Sequence, residues 1–289
     1  MTTRDQWIAG ARPKTLPAAI APVLVGTSFA GYNATFLHTL LALIVALALQ
    51  VGVNYANDYS DGIKGTDSDR VGPMRLVGSG AATPEAVKKA ALLSFLIAAI
   101  AGLILASLTS WLLILLGAVC IGAAWTYTGG PKPYGYQALG EVSVFIFFGV
   151  VATVGTYYVQ TESISREVLL ASFAMGALAC AILVLNNLRD LEKDRSSGKK
   201  TLAVVMGDRE TRDLYKWLMF FALVMSVALT FFSFYYLLAL ISLPLISKSV
   251  RTVRAGASGD VLIDLLAKTG RIQIIYAVAI SLAAWLVAR

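Results

Sequence analysis

Nine apolar stretches, each close to the length of a bilayer crossing, constrain this chain more than any motif in it. They run at 16–32, 36–56, 90–108, 111–127, 141–159, 168–188, 214–231, 233–247 and 271–288, the last long run being divided near Ser233. A helix needs about 17–25 predominantly apolar residues to cross the hydrocarbon core, where no water satisfies a backbone that is not internally paired. Only 14% of the residues are charged, and the mean hydropathy is +0.72. A soluble domain carries roughly a quarter of its residues charged, so a soluble globular fold is excluded. The expected fold class is all-α: a polytopic membrane protein of nine transmembrane helices in a single domain over residues 1–289.

Basic residues set the orientation. With the N-terminus and its Arg4, Arg12 and Lys14 on the cytoplasmic side, four loops face inward, at 57–89, 128–140, 189–216 and 248–271. They hold 5, 1, 8 and 5 Lys and Arg residues, which leaves only Arg166 and Arg289 of the 24 outside. That bias follows the positive-inside rule. The formal charge of +7 is therefore an orientation signal that also suits anionic substrates and lipid headgroups. It does not suit nucleic acid, because the basic residues are dispersed among loops. Cys120 and Cys180 sit within apolar runs as buried thiols, no CxxC spacing occurs, and His38 lies at the outer start of the second stretch. Pro13, Pro17 and Pro22, in and just before the first stretch, argue against a cleavable leader.

Two polar clusters sit at the inner ends of the second and sixth stretches. The first is Asn57-Asp58-Tyr59-Ser60-Asp61, continuing through Lys64 and Gly65 to Asp67. The second is Asn186-Asn187-Leu188-Arg189-Asp190 with Asp194, followed by Gly198-Lys199-Lys200. Asn-x-x-x-Asp thus occurs twice, as pseudo-repeated motifs at 57–67 and 186–194. If helix persists there, residues four apart stack on one face, and each cluster presents an amide and carboxylates in one direction. Asp58 falls about one position around from that face.

Carboxylates at a helix C-terminus oppose the dipole, and Asp58, Asp61, Asp67, Asp190 and Asp194 crowded together would repel. A hard divalent cation relieves both. Mg²⁺ is usually held by one or two carboxylates, with phosphate oxygens and water completing its shell. Lys64, Arg189, Lys199 and Lys200 then read as phosphate partners, and the two clusters as one metal-bridged diphosphate site. Two ions on a diphosphate would stabilise its departure. By contrast, Arg195, Arg209 and Arg212 read as orientation charges. A third inner segment, Tyr127-Thr128-Gly129-Gly130-Pro131-Lys132-Pro133-Tyr134-Gly135-Tyr136 to Glu141, is either a tight turn with interfacial aromatics or a wall for a flat aromatic acceptor.

On these residues the chain resembles the UbiA superfamily of intramembrane aromatic prenyltransferases. The likeness covers nearly the full length: the nine stretches, Asn57 to Asp61, and Asp190-x-x-x-Asp194 with its following Gly-Lys-Lys-Thr-Leu. Ala11-Arg12-Pro13-Lys14-Thr15-Leu16, Gly65-Thr66-Asp67 and Tyr127-Thr128-Gly129-Gly130-Pro131 to Gly140-Glu141 are most similar to its menaquinone branch. Many ubiquinone-type members carry a third Asp where this chain has Gly65, with Asp67 two positions later.

The resemblance implies helices around a central cavity that opens to the cytoplasmic interface and sideways to lipid. It implies Mg²⁺, two ions with Mn²⁺ as a substitute, held by Asn57, Asp61, Asp190 and Asp194 with Asp58 and Asp67 assisting. The diphosphate of a polyprenyl donor would meet Lys64, Asn186, Asn187, Arg189, Lys199 and Lys200. The acceptor expected for this branch is 1,4-dihydroxy-2-naphthoate, with Arg12 and Lys14 at its carboxylate and Tyr127, Lys132 and Glu141 orienting or deprotonating it. Asp61, Asp190, Asp194 and Tyr127 are the catalytic candidates. The implied setting is a bacterial-type inner membrane with the site on the cytoplasmic side. Rival readings are another aromatic acceptor within the superfamily and a cation-coupled transporter. The latter would place its acids near the bilayer midplane, whereas these clusters lie at one face.

Overall fold

The computed structural model describes residues 2–65 and 74–289. Each of the nine apolar stretches lies on a helix. A short α1 (Arg4–Ala11) precedes α2 (Pro17–Phe29), α3 (Phe36–Ile63), α4 (Pro84–Leu108) and α5 (Leu112–Thr126). Then come α6 (Gly140–Thr161), α7 (Arg166–Ser196), the short α8 (Leu202–Met206), α9 (Asp208–Leu229), α10 (Phe234–Arg254) and α11 (Gly259–Val287). Among the described residues the only β-type pairing is one isolated bridge between Gln137 and Lys200. Hydroxyl side chains start the long helices: Thr35, Thr83 and Ser165 each accept a hydrogen bond from a backbone N–H in the first turn of α3, α4 and α7, satisfying a donor that the helix itself leaves open.

Six of these helices, α3, α4, α6, α7, α10 and α11, are long and apolar enough to cross a membrane; α2 and α5 are apolar but shorter. The chain is therefore an all-α, multi-pass membrane protein. Several helices run beyond their apolar stretch. The expected inner loop at 248–271 shrinks to residues 255–258, because α10 continues to Arg254 and α11 starts at Gly259. Charge marks the water-facing turns of a helix as readily as a loop, and the ion pair between Asp264 and Lys268, four residues apart, sits on such a turn. Arg212, expected to be only an orientation charge, binds Asp208 at 2.6 Å and the carbonyls of Val253 and Ala257 at 2.6 and 3.0 Å. It ties α9 to the turn between α10 and α11.

The bundle has a dense side and a hollow side. α7 is the pillar of the dense side, with 78% of its most apolar window buried. Its Ala171, Ala174, Met175, Leu178, Ala181 and Leu185 pack with residues of α2, α9, α10 and α11. Small residues permit that density: a Cβ on Gly149 of α6 would stand 2.4 Å from the Cα of Gly176 on α7, so the two backbones touch. On the hollow side, α3, α4 and α5 pack around Tyr55, Ala91, Phe95 and Ala124. Between the two sides lies a cavity of about 720 Å³.

Candidate active site

The cavity is a long apolar slot with a polar mouth. Along α3 it is lined from Ala42 through Val45, Ala46, Leu49 and Val53 to Asn57 and Asp61. Twenty residues of helix, nineteen steps of 1.5 Å, make that wall about 28 Å long, close to the thickness of a hydrocarbon core. Leu113, Leu116 and Gly117 of α5 and Phe147, Phe148, Val151 and Gly155 of α6 form other walls. At the mouth stand Asn57, Asp61 and Arg75 from one side and Asn186, Asn187, Arg189 and Lys199 from the other.

The first motif occupies the last two turns of α3, and helix persists through it to Ile63. Asn57 and Asp61, four residues apart, both face the cavity as their spacing dictates. Asn57 Oδ1 accepts a hydrogen bond from Thr128 Oγ1 at 2.7 Å. Asp61, 3% exposed, lies 3.6 Å from Arg75 and accepts a hydrogen bond from the Tyr136 hydroxyl. Asp58 is turned away, fully buried, and its two oxygens accept from the backbone N–H groups of Leu76 and Val77 at 2.8 and 3.0 Å. That carboxylate organises the returning chain and does not line the cavity. Asp67 lies outside the described residues.

The second motif occupies the end of α7. Arg189 grips Asp190 through two hydrogen bonds of 2.7 Å and reaches Asn186 Oδ1 at 2.9 Å. Asp194 lies 3.8 Å from Lys199, whose backbone N–H also bonds the Asp194 carbonyl. Asn187 donates to Glu141 Oε1 at 2.9 Å. Glu141 is buried at the start of α6, and the Lys200 side chain is exposed.

The segment between Tyr127 and Glu141 clasps both motifs, a role that local sequence signals did not disclose. Besides holding Asn57, Thr128 accepts from Lys64 Nζ through its carbonyl at 2.9 Å. Ala138 N–H bonds the Lys200 carbonyl at 2.8 Å. The Tyr136 ring sits between the motifs, with Lys64 Nζ 4.8 Å and Lys199 Nζ 4.9 Å from its centroid, within cation–π range. Thr128 and Tyr136 meet α3 across 71 and 75 residues of chain, a separation that no periodicity reports. Desolvation pulls the Lys64 ammonium below the usual lysine range, with Asp61 opposing the fall and Lys199 adding to it.

The acceptor candidates divide. Arg12, Lys14 and Tyr127 line the cavity. Arg12 takes a left-handed backbone conformation, φ +54°, between α1 and the Pro13–Thr15 turn, a strained placement for a residue with a side chain. The Tyr127 ring meets Tyr134 edge-on, with centroids 5.4 Å apart. Lys132 is exposed and outside the cavity lining.

Among the described residues no three His, Cys, Asp or Glu side chains converge on one point. What is present suits a cation shared with a ligand. Asp61 and Asp190 each offer a carboxylate beside an amide oxygen, and each is balanced by an arginine that a divalent ion could replace. Mg²⁺ bound through one or two carboxylates and substrate phosphates needs no more.

Over residues 19–258 the sequence matches the UbiA prenyltransferase family. The 1,4-dihydroxy-2-naphthoate octaprenyltransferase of Mycobacterium tuberculosis (strain ATCC 25618 / H37Rv) is 49% identical over 283 residues, 97% of each chain. A UbiA homologue from Aeropyrum pernix K1, solved in its apo form, matches with a TM-score of 0.74 at 16% identity over 93% of this chain and 98% of that one. A UbiA homologue from Archaeoglobus fulgidus, solved with DMAPP and Mg²⁺, matches with a TM-score of 0.67 at 15% identity over 95% and 99%. The structures carry the fold, and the sequence match carries the lineage: this chain belongs to the UbiA prenyltransferase family.

Proposed function

We propose that the chain transfers a polyprenyl group from polyprenyl diphosphate to 1,4-dihydroxy-2-naphthoate, with loss of pyrophosphate and carbon dioxide, giving demethylmenaquinol, the reduced form of demethylmenaquinone. The observation that carries this reading is the junction of two Asn-x-x-x-Asp helix ends at the mouth of a largely apolar slot whose α3 wall, mouth included, runs about 28 Å. A diphosphate bearing a long hydrocarbon has that same division of polar head and apolar tail. The nearly full-length likeness to a 1,4-dihydroxy-2-naphthoate octaprenyltransferase supports the choice of acceptor. In this reading all nine helices from α2 to α7 and α9 to α11 cross the membrane. The N-terminus and the site face the cytoplasm, in a bacterial-type inner membrane.

Asp61 and Asp190, with Asn57, Asn186 and Asp194, would hold Mg²⁺, two ions by charge balance, and Mn²⁺ would substitute. The metal supplies Lewis-acid stabilisation of the departing pyrophosphate. Lys64, Arg75, Arg189 and Lys199 meet phosphate oxygens and neutralise charge as the C–O bond breaks. Phe147, Phe148 and the aliphatic walls exclude water from the allylic cation, and the aromatic faces stabilise it. Arg12 and Lys14 receive the acceptor carboxylate beside that carbon, and Tyr127 donates a hydrogen bond to the acceptor.

The test is product formation in nanodiscs from 1,4-dihydroxy-2-naphthoate, a polyprenyl diphosphate and Mg²⁺. A prenylated naphthoquinol, read as the quinone after oxidation in air, that disappears with EDTA and returns with Mg²⁺ or Mn²⁺ is expected. Pyrophosphate release that needs a different aromatic acceptor would refute the naphthoate assignment while keeping the donor.

A further inference from the structure

Two turns of α3 inward from Asn57, the apolar slot is interrupted by a polar shelf. Gln50 and Asn54 line the cavity and are only 7% and 3% exposed. The directions of their hydrogen bonds are fixed by one group, the carbonyl of Ala11, which can only accept. Asn54 must turn Nδ2 toward it, at 2.9 Å, and its amide also donates to Thr15 Oγ1 at 3.3 Å. Asn54 Oδ1 is then an acceptor and takes a hydrogen bond from Gln50 Nε2 at 3.3 Å. Gln50 Nε2 donates to Thr15 Oγ1 as well, at 3.2 Å. The Thr15 hydroxyl sends its own proton to the carbonyl of Arg12 at 2.9 Å.

Every donor on the shelf is thereby used. What remains is Gln50 Oε1, to which no donor among the described residues bonds, on a side chain more than nine-tenths buried at the cavity wall. That oxygen is not among the sealed buried polar atoms, so a donor that enters the cavity can reach it. The chemistry of that donor is restricted. A prenyl diphosphate offers only acceptor oxygens and hydrocarbon, and a carboxylate offers none either. A ring hydroxyl is the group that fits. In a 1,4-dihydroxy-2-carboxylate the 1-hydroxyl donates an internal hydrogen bond to the adjacent carboxylate, which leaves the 4-hydroxyl free to donate outward.

We propose that Gln50 Oε1 is the specificity-determining acceptor for the free ring hydroxyl of the aromatic co-substrate, with Asn54 and Thr15 as the residues that aim it. This rests on the proposed function and names the group by which that site would tell a dihydroxylated ring from a monohydroxylated one. It also places the acceptor against the turn that carries Arg12, Lys14 and Thr15. That turn would then read both ends of the same ring: the carboxylate through its cations and the hydroxyl through the shelf it supports.

The test uses the full chain in nanodiscs with 1,4-dihydroxy-2-naphthoate, 1-hydroxy-2-naphthoate and 4-methoxy-1-hydroxy-2-naphthoate. The parent should hold the two analogues, read as substrates or as competitors, about 10–100-fold more weakly than the dihydroxy acid. Gln50→Leu should raise KM for the dihydroxy acid toward the analogues' values, change the analogues less than about threefold, and leave prenyl diphosphate binding intact. Equal affinity of all three for the parent would overturn the inference, since water would then satisfy Gln50. An equal loss for all three in Gln50→Leu, together with weaker prenyl diphosphate binding, would reduce Gln50 to a packing role and overturn it too. If the variant does not fold, the analogue series on the parent decides alone. No prenylated naphthalene from any acceptor, in a parent that binds prenyl diphosphate, would sink the proposed function and this inference with it.

Discussion

The two Asn-x-x-x-Asp motifs share a spacing and a place at a helix end, yet the helices that carry them live in different surroundings. The most apolar window of α3 is 22% buried, and that of α7 is 78% buried. α7 is locked on several sides by Ala and Gly contacts, so Asp190 and Asp194 are presented from a fixed pillar and balanced by cations of their own motif, Arg189 and Lys199. α3 is a wall of the slot. Asn57 and Asp61 look into it, while Asp58 is spent on the backbone of the returning chain. The same sequence pattern thus sits on a helix enclosed by neighbours in one case and on a wall of the slot in the other, and the Tyr127–Glu141 segment joins them. Spacing decides which residues share a face; the packing of the helix decides what that face can do.

The largest effect expected is loss of turnover on removing either carboxylate. Asp61→Ala and Asp190→Ala should each lower kcat/KM by about 10³-fold or more, the scale of several kcal/mol of charge stabilisation. A variant retaining near-parent activity at one motif would break the equivalence. Next, the pillar and the wall should differ in tolerance. Gly149→Ala should cost about 1–3 kcal/mol by overpacking α6 against α7, seen as a lower unfolding temperature in detergent. Gly155→Ala, where an added Cβ meets nothing within 4 Å, should leave stability near the parent's. Equal losses would deny the contrast in density.

Within the first motif, Asp58→Asn should destabilise by about 1–3 kcal/mol through a lost backbone contact while activity of the folded fraction stays within a few-fold of the parent. Asp61→Asn should do the reverse. Comparing melting curves with rates per folded molecule separates the two. The smallest effect belongs to Tyr136→Phe, which keeps the ring against the two lysines and removes the hydroxyl from Asp61. About a tenfold rise in KM for prenyl diphosphate is expected, with the acceptor KM unchanged.

Much of this was written in the sequence in forms that survive without neighbours. All nine apolar stretches fall on helices, because lipid solvation imposes a length and a composition on each crossing independently of the others. The helix ends were less legible: α3, α4, α7, α10 and α11 carry charged turns beyond their apolar parts, and charge alone does not separate a loop from an exposed helical turn. Asn57 and Asp61 announced themselves by i, i+4 spacing, as did Asp190 and Asp194. Asn54 and Gln50 continue the same stripe inward, three and seven residues before Asn57, and amides inside an apolar run were a signal that could have found them. Thr128, Tyr136 and Arg75 had no such signal. Their place at the site comes from tertiary contact, and nothing local distinguishes Tyr136 from Tyr134, whose hydroxyl instead bonds the Ala123 carbonyl and Ser143. Lys132 and Lys200 stand out in the sequence by charge and nearness to the motifs, yet both are exposed and outside the cavity lining.

In the proposed reaction both motifs hold one diphosphate. The most direct measurement is equilibrium binding of a non-ionising polyprenyl thiodiphosphate in Mg²⁺ to the parent, Asp61→Ala, Asp190→Ala and the double variant. A shared site predicts large losses in each single variant and a double loss far smaller than their product, since residues acting on one ligand group are strongly coupled. Losses that multiply, each variant behaving as though the other motif were absent, would mean two independent sites and would contradict the account.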